Sequence, residues 1–226
     1  MCLKYGNIYL EEFTIMIKLS AQQCYEHACV AYEKAKSIIA DLSVKTQEID
    51  KEFNPEIAMR QFDLIAQSVM LSIAVSDGKF NDLEKTFISN ITEYADLLVV
   101  VNGKMKEEDP EWPEFTWDVI DVLTPENKEK FACICADTIA EYANEFTLYF
   151  SVIDFIDDDR DYHEELLECL FNLITFISAV DEGGFDPDKG ATAENLRGLQ
   201  FLHALFEENW NKNTEDFVKK LEENNG

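Results

Sequence analysis

Ala74-Val75-Ser76-Asp77-Gly78-Lys79-Phe80-Asn81-Asp82-Leu83-Glu84 decides the reading of this chain. It recurs in outline, without a gap, as Ala179-Val180-Asp181-Glu182-Gly183-Gly184-Phe185-Asp186-Pro187-Asp188-Lys189. Each copy follows a long apolar segment and opens another helical pattern. Gly78 and Gly183 stand where a helix C-terminus favours a residue with positive φ. Three residues on, Asn81 and Asp186 are N-cap types. Glu84 follows Asn81 at the capping-box interval, and Pro187 follows Asp186 at the first helical position. The repeat predicts two helix–turn–helix corners, and with them either a duplicated helical core or two hairpins packed in one bundle.

Working outward, Asn54-Pro55 is a helix start, and Ala58, Phe62, Ile65, Val69 and Ile73 form its main face. Leu64, Met70 and Leu71 widen that face, so this helix is expected to be largely buried. From about Ser20 to Ile49, Cys24, Ala28, Ala31, Ala35, Ile38 and Leu42 recur at steps of four and three. After the first corner, Leu83, Phe87, Ile91, Tyr94, Leu98 and Val101 predict a helix that Asn102-Gly103 would stop. Residues 103–115 carry Pro110 and Pro113 and read as a loop between possible halves 20–102 and 116–222. Thr124-Pro125-Glu126 opens a long helix lined by Phe131, Cys135, Thr138, Tyr142, Phe146, Tyr149 and Ile153. The acidic run Asp157 to Asp161 interrupts it. Leu166, Leu170, Leu173, Ile177 and Val180 then lead to the second corner. Leu196, Leu199, His203, Phe206 and Trp210 mark a penultimate helix, and Asn213–Leu221 a short last one. Residues 1–19 read as an arm or short helix and 223–226 as a frayed tail. The fold class expected is all-α: a compact bundle of seven or eight helices with two buried hairpins, without a confident strand.

Acidic residues number 46 against 19 Lys and Arg, a formal charge of −27. Such a surface repels a phosphate backbone, which argues against direct nucleic-acid binding. It leaves divalent cations or a basic protein partner, and the latter includes an acidic inhibitor that mimics nucleic acid and blocks a basic channel. Apolar residues make up 46% of the chain, with 16 Phe, enough for a large core. None of the six Cys shows C-x-x-C spacing, and Cys133 and Cys135 fall on opposite sides of a helix. They read as reduced, mostly buried thiols of a cytoplasmic protein. No apolar run approaches the ~20 residues of a membrane span. No phosphate loop, G-x-S-x-G or H-E-x-x-H occurs, so the sequence gives no support for an enzyme.

Asp77 to Glu84 fits the second half of an EF-hand loop, but Ile73 and Val75 hold the first two ligand positions and supply no side-chain oxygen. Asp157-x-Asp159-x-Asp161, with Glu168 beyond, fits the other half. There Tyr162 stands for the required Gly, and a solvated acidic loop is the simpler reading. Cys24 and His27 are too few ligands for zinc. His203 reads as a core histidine, and His163, among carboxylates, as one favouring its protonated form. Trp112, Phe115 and Trp117 either pin the 103–115 loop or form an exposed partner site.

An apolar helix followed by Asp-Gly-x-hydrophobic-x-x-x-Glu, as in Leu71 to Glu84, resembles the tellurite-resistance TerB-like domain family. The resemblance covers roughly residues 57–101. It implies an all-helical, acidic, non-enzymatic protein of a stress-response or defence-type system, with Asp77 and Glu84 as ligands for calcium or magnesium. In the second copy Glu182 replaces the Asp and Lys189 the final Glu. Glu182, Asp186 and Asp188 are therefore weaker metal candidates.

Overall fold

Ser20 closes a capping box. Its hydroxyl accepts from the Gln23 N–H at 3.3 Å, and Gln23 Oε1 accepts from the Ser20 N–H at 3.0 Å. The cap opens α1 (Ala21–Ile49) in the computed structural model, which describes residues 18–77, 82–91, 96–112, 114–116, 124–157, 160–188 and 193–225. Asn54 starts α2 (Pro55–Asp77), its Oδ1 accepting from the Glu56 N–H at 3.0 Å. α3 (Asp82–Asn90) and α4 (Leu97–Glu108) follow. Thr124 caps α5 (Pro125–Ile156), and Asp161 caps α6 (Tyr162–Asp181). α7 (Ala193–Asn225) ends the chain. Two short strands, β1 (Leu19–Ser20) and β2 (Gly184–Phe185), pair antiparallel. The all-α expectation is met, with seven helices among the described residues.

The helices of the two halves interleave. α1 lies chiefly against α6, and α2 chiefly against α5. If α1–α2–α3 is matched to α5–α6–α7, the first helix of each unit packs on the second helix of the other. One apolar cluster runs through all seven helices. A chain of aromatic rings crosses it: Phe87 to Tyr32 (6.1 Å), Tyr32 to Phe62 (5.7 Å), Phe62 to Phe146 (6.2 Å) and Phe146 to Phe206 (6.1 Å). This ties α3, α1, α2, α5 and α7 together. Each fully buried ring contributes about 1.5–3 kcal/mol from area alone.

Three element boundaries differ from the sequence reading. The predicted helix over 83–101 is two helices, and Asn102-Gly103 lies inside α4 instead of ending it. Gln67 from α2 holds the flanks of the junction. Its Nε2 donates to the Ile91 carbonyl at 2.8 Å, and its Oε1 accepts from the Leu97 N–H at 2.9 Å. The penultimate helix and the short last one are a single helix, α7. Its buried Asn213 is satisfied by Thr147 of α5 at 3.1 Å.

The third difference is the second corner. Gly183 has the expected positive φ of 82°. Asp186 does not start a helix; α7 begins at Ala193. Gly184, at φ 133°, pairs with Ser20, where a Cβ would lie 2.0 Å from the Leu19 carbonyl oxygen. At the first corner, Gly78 and Asn81 lie outside the described residues.

Candidate functional site

The predicted acidic residues occupy unlike places. Asp77 ends α2, and its side chain is outside the described part. Glu84 sits in the first turn of α3, where a carboxylate suits the helix dipole, and is buried at 2% exposure. It is therefore an interior group, not an acid turned toward a partner at the surface.

At the second corner, Glu182 is the exposed C-cap residue of α6. Asp186 Oδ1 accepts from the Asp188 N–H at 3.1 Å, and its Oδ2 takes Lys18 Nζ at 2.9 Å. Lys18 also reaches Asp188 at 3.8 Å. These acids clamp the chain before β1 onto the corner. No group of three or more His, Cys, Asp or Glu able to hold a metal occurs among the described residues.

The acids of the 157–161 run also diverge. Asp157 forms an ion pair with Lys45 of α1. Asp161 accepts from the Glu164 N–H at 2.9 Å as an N-cap. Glu168 pairs with Lys34 at 3.0 Å. Arg160 donates to both Glu165 oxygens at 2.7 Å and to Asp41 at 2.9 Å, while lying 4.7 Å over the Tyr162 ring. The Arg160 guanidinium lowers the Glu165 carboxyl below its ordinary range. Of the acids that the sequence offered as calcium ligands, Glu168 fastens α6 to α1, Asp157 fastens the end of α5 to α1, and Asp161 caps α6; Asp158 and Asp159 lie outside the described residues.

Trp112 is buried at 5% exposure and Phe115 half-buried. Trp112 Nε1 donates to Asn102 Oδ1 at 3.3 Å, the Phe115 N–H donates to the same oxygen at 3.0 Å, and Asn102 Nδ2 donates to the Phe115 carbonyl at 2.7 Å. The two rings meet at 5.1 Å and both reach Phe131 of α5. They pin the loop; of the two alternatives, Trp112 follows anchoring and not an exposed patch. Trp117 lies outside the described residues.

Two buried clusters are not legible in the spacing of the sequence. One is the fully buried Asp63, which accepts a hydrogen bond from Tyr32. Asp63 lies on the apolar face of α2, and the only sequence signal was a charge at a buried position. The other is His163. Its ring stacks on Trp210 at 4.8 Å, and nearby Asp154 accepts from the Tyr162 N–H at 2.8 Å. Burial lowers the His163 pKa below the ordinary value, although Asp161 and Glu207 oppose it. The expectation of a protonated imidazole is thereby reversed, because desolvation outweighs the nearby carboxylates. Burial also pushes the Asp154 carboxyl up. His203 stacks on Phe171 at 5.8 Å, with Nδ1 3.1 Å from Glu207, and is only partly buried. His27 is exposed, with its ring 4.9 Å from Phe176.

Cys24, Cys135 and Cys169 are buried and Cys133 exposed, as free thiols. Burial pushes the Cys169 thiol up to about 11, which suppresses its thiolate. No described helix is long and apolar enough to cross a membrane. Comparison of the chain with models of known families, with curated proteins and with solved structures finds no match.

Proposed function

We infer that this chain is a non-enzymatic acidic binding or scaffold protein whose partner is a basic protein. The observation that carries the reading is the charge of −27 on a helical body. The acids of the 157–161 run and of the second corner that pair do so within the fold, and none belongs to a group of three or more possible metal ligands among the described residues. The resemblance to the TerB-like family extends the reading to a stress-response or defence-type system in the cytoplasm, and to a calcium or magnesium ion on Asp77 and Glu84. Exposed acids occur on α1, α5, α6 and α7, with lysines interspersed on α1. Dispersal of that kind counts against mimicry of nucleic acid over the whole surface.

Retention of proteins from the source cells on the immobilised full chain tests the partner. Basic proteins released by raising the salt are expected. A retained set without basic excess, or indifferent to salt, would overturn the reading. Calorimetric titration with calcium and magnesium tests the cation separately. Heat that disappears in Asp77→Asn/Glu84→Gln supports it, and no heat in the unmodified chain removes it.

A further inference from the structure

α7 keeps one face toward the core for most of its length, with Phe206, Trp210 and Asn213 all buried. At helical spacing that face continues through the half-buried Phe217 to Leu221, which is 42% exposed. The reason lies in its neighbour. α5 runs parallel to α7: Phe146 meets Phe206, Thr147 meets Asn213, and Phe155 meets Phe217 at 6.2 Å. α5 stops at Ile156, just past the last of these pairs, while α7 goes on to Asn225. The inward face of α7 therefore runs beyond the end of α5.

α5 adds an apolar edge at the same place. Leu148 and Phe155, each 49% exposed, share a solvent-facing line with Val152, and Ile156 lies beside it at 55%. Followed toward the helix N-terminus, the same line continues through Glu145, Glu141 and Asp137, all exposed. Between Phe131 and Ile156, α5 contains no Lys or Arg. Its outer face is thus acidic in one half and apolar in the other. The only ion pair on the acidic half, among the described residues, is the exposed one from Lys104 to Glu141 at 3.1 Å. Such a pair is worth little and exchanges readily for another cation.

We propose that this α5–α7 face is the docking surface for a cationic amphipathic helix of a protein partner. Apolar side chains of the partner lie against Leu148, Phe155, Phe217 and Leu221, and its Lys and Arg lie along Asp137 and Glu141. The proposal rests on the acidic-binding reading above and gives it a place on the molecule. A contiguous exposed apolar ridge marks an interaction site, and the collinear acids set the charge of what covers it. A second copy would bring no Lys or Arg from this stretch of α5 to answer those acids, and an anionic lipid surface would be repelled.

The probe is a synthetic, fluorescently labelled Lys/Leu helix of about 18 residues. A control peptide has the same composition, with its leucines scattered around the helix. Anisotropy titrations against the full chain are expected to give affinity about tenfold higher for the amphipathic peptide than for the control. Leu148→Ser/Phe155→Ser should lose about that factor with far-UV ellipticity unchanged, because both residues are half-exposed. Asp137→Asn/Glu141→Gln should flatten the salt dependence. Equal, salt-dependent binding of both peptides that ignores Phe155→Ser overturns this surface and leaves the acidic-binding reading standing. No binding of either peptide at low salt overturns both. Self-association of the chain alone, abolished by Phe155→Ser, overturns the cationic occupant in favour of a second copy.

Discussion

The two sides of the bundle handle their charges in opposite ways. Where α6 and the turn that leads into it lie on α1, carboxylates meet cations: Glu168 with Lys34, Asp41 and Glu165 with Arg160, and Asp157, at the end of α5, with Lys45. Tyr162 is covered by Lys45 at 5.1 Å and by Arg160 at 4.7 Å, so its buried ring also has cations above it. Where α5 lies beside α7, the exposed acids of α5 have almost no such answer, and apolar side chains stand in solvent at the end of the pair. One side is closed by its own countercharges; the other keeps both its negative charge and its apolar area available. Acidity over the whole chain does not distinguish α5 from α1 and α6, whereas the lack of any Lys or Arg on α5 between Phe131 and Ile156 does; on α7, Lys212, Lys219 and Lys220 are exposed.

The largest effect is expected at the core between them. Phe146 touches α2 through Phe62 and α7 through Phe206, and it is buried. Phe146→Ala should cost about 3–5 kcal/mol in denaturant unfolding, against under about 1 kcal/mol for Phe155→Ala at the open end. Similar costs at the two positions would mean that the open end is packed after all.

Next is the ion-paired side. Arg160 and Glu165 are each about a third exposed, so solvent screening limits their pairing. Arg160→Gln should still cost about 1 kcal/mol, less in high salt. Glu141→Gln on the other side should leave stability unchanged or raise it by about 0.3 kcal/mol, because Asp137, Glu141 and Glu145 repel one another at helical spacing. Equal losses in the two variants would erase the contrast.

Acid gives a smaller effect. The folded pKa of His163 lies below its unfolded value, so its neutral form stabilises the fold fully above the ordinary value of about 6.5, and this is lost as pH falls below it. Glu165, with its lowered pKa, acts in the same direction at lower pH. Asp154, with a raised pKa, acts in the opposite one, its unfavourable effect easing as pH falls. Relief of self-repulsion in so acidic a chain also works the other way. The informative quantity is therefore the difference between chains. Between pH 7 and pH 5, about the window in which imidazole titrates, the full chain should lose more stability than His163→Phe in thermal melts. An unchanged difference would contradict a buried neutral imidazole.

The least effect on stability is expected at the thiols, where kinetics is the readout. Cys133 should react first with a thiol reagent, and Cys24, Cys135 and Cys169 only on unfolding. Rapid labelling of Cys169 in the folded chain would contradict its burial.

Helix identity was legible where apolar spacing was long and a cap stood before it, as at Asn54-Pro55 and Thr124-Pro125. It failed where tertiary partners overrode local signals. Asn102-Gly103 looks like a stop, but Asn102 spends its amide on Trp112 and Phe115, and the helix continues past it. Asp186 looks like a helix cap, but Lys18 and the pairing of Leu19–Ser20 with Gly184–Phe185 hold it in a turn. The second glycine of Gly183-Gly184 was the available signal, since capping alone requires only one. The chemistry was less legible. Carboxylates are too numerous for spacing to say which pair with cations from another helix, and Asp63 and His163 reveal themselves only through burial. The apolar ridge on α5 and α7 was invisible for a simpler reason. Phe217 and Leu221 continue the core stripe of α7 past the end of α5, and Leu148 and Phe155 fall on an outer line of α5 that is acidic nearer its N-terminus.

Hydrogen–deuterium exchange of the full chain, with and without the cationic amphipathic peptide, tests the contrast between the two sides most directly. Added protection is expected to be confined to α5 between Asp137 and Ile156 and to α7 between Asn213 and Glu223, with α1 and α6 unchanged. Protection centred on the paired segments around Lys34–Lys45 and Arg160–Glu168 would contradict it.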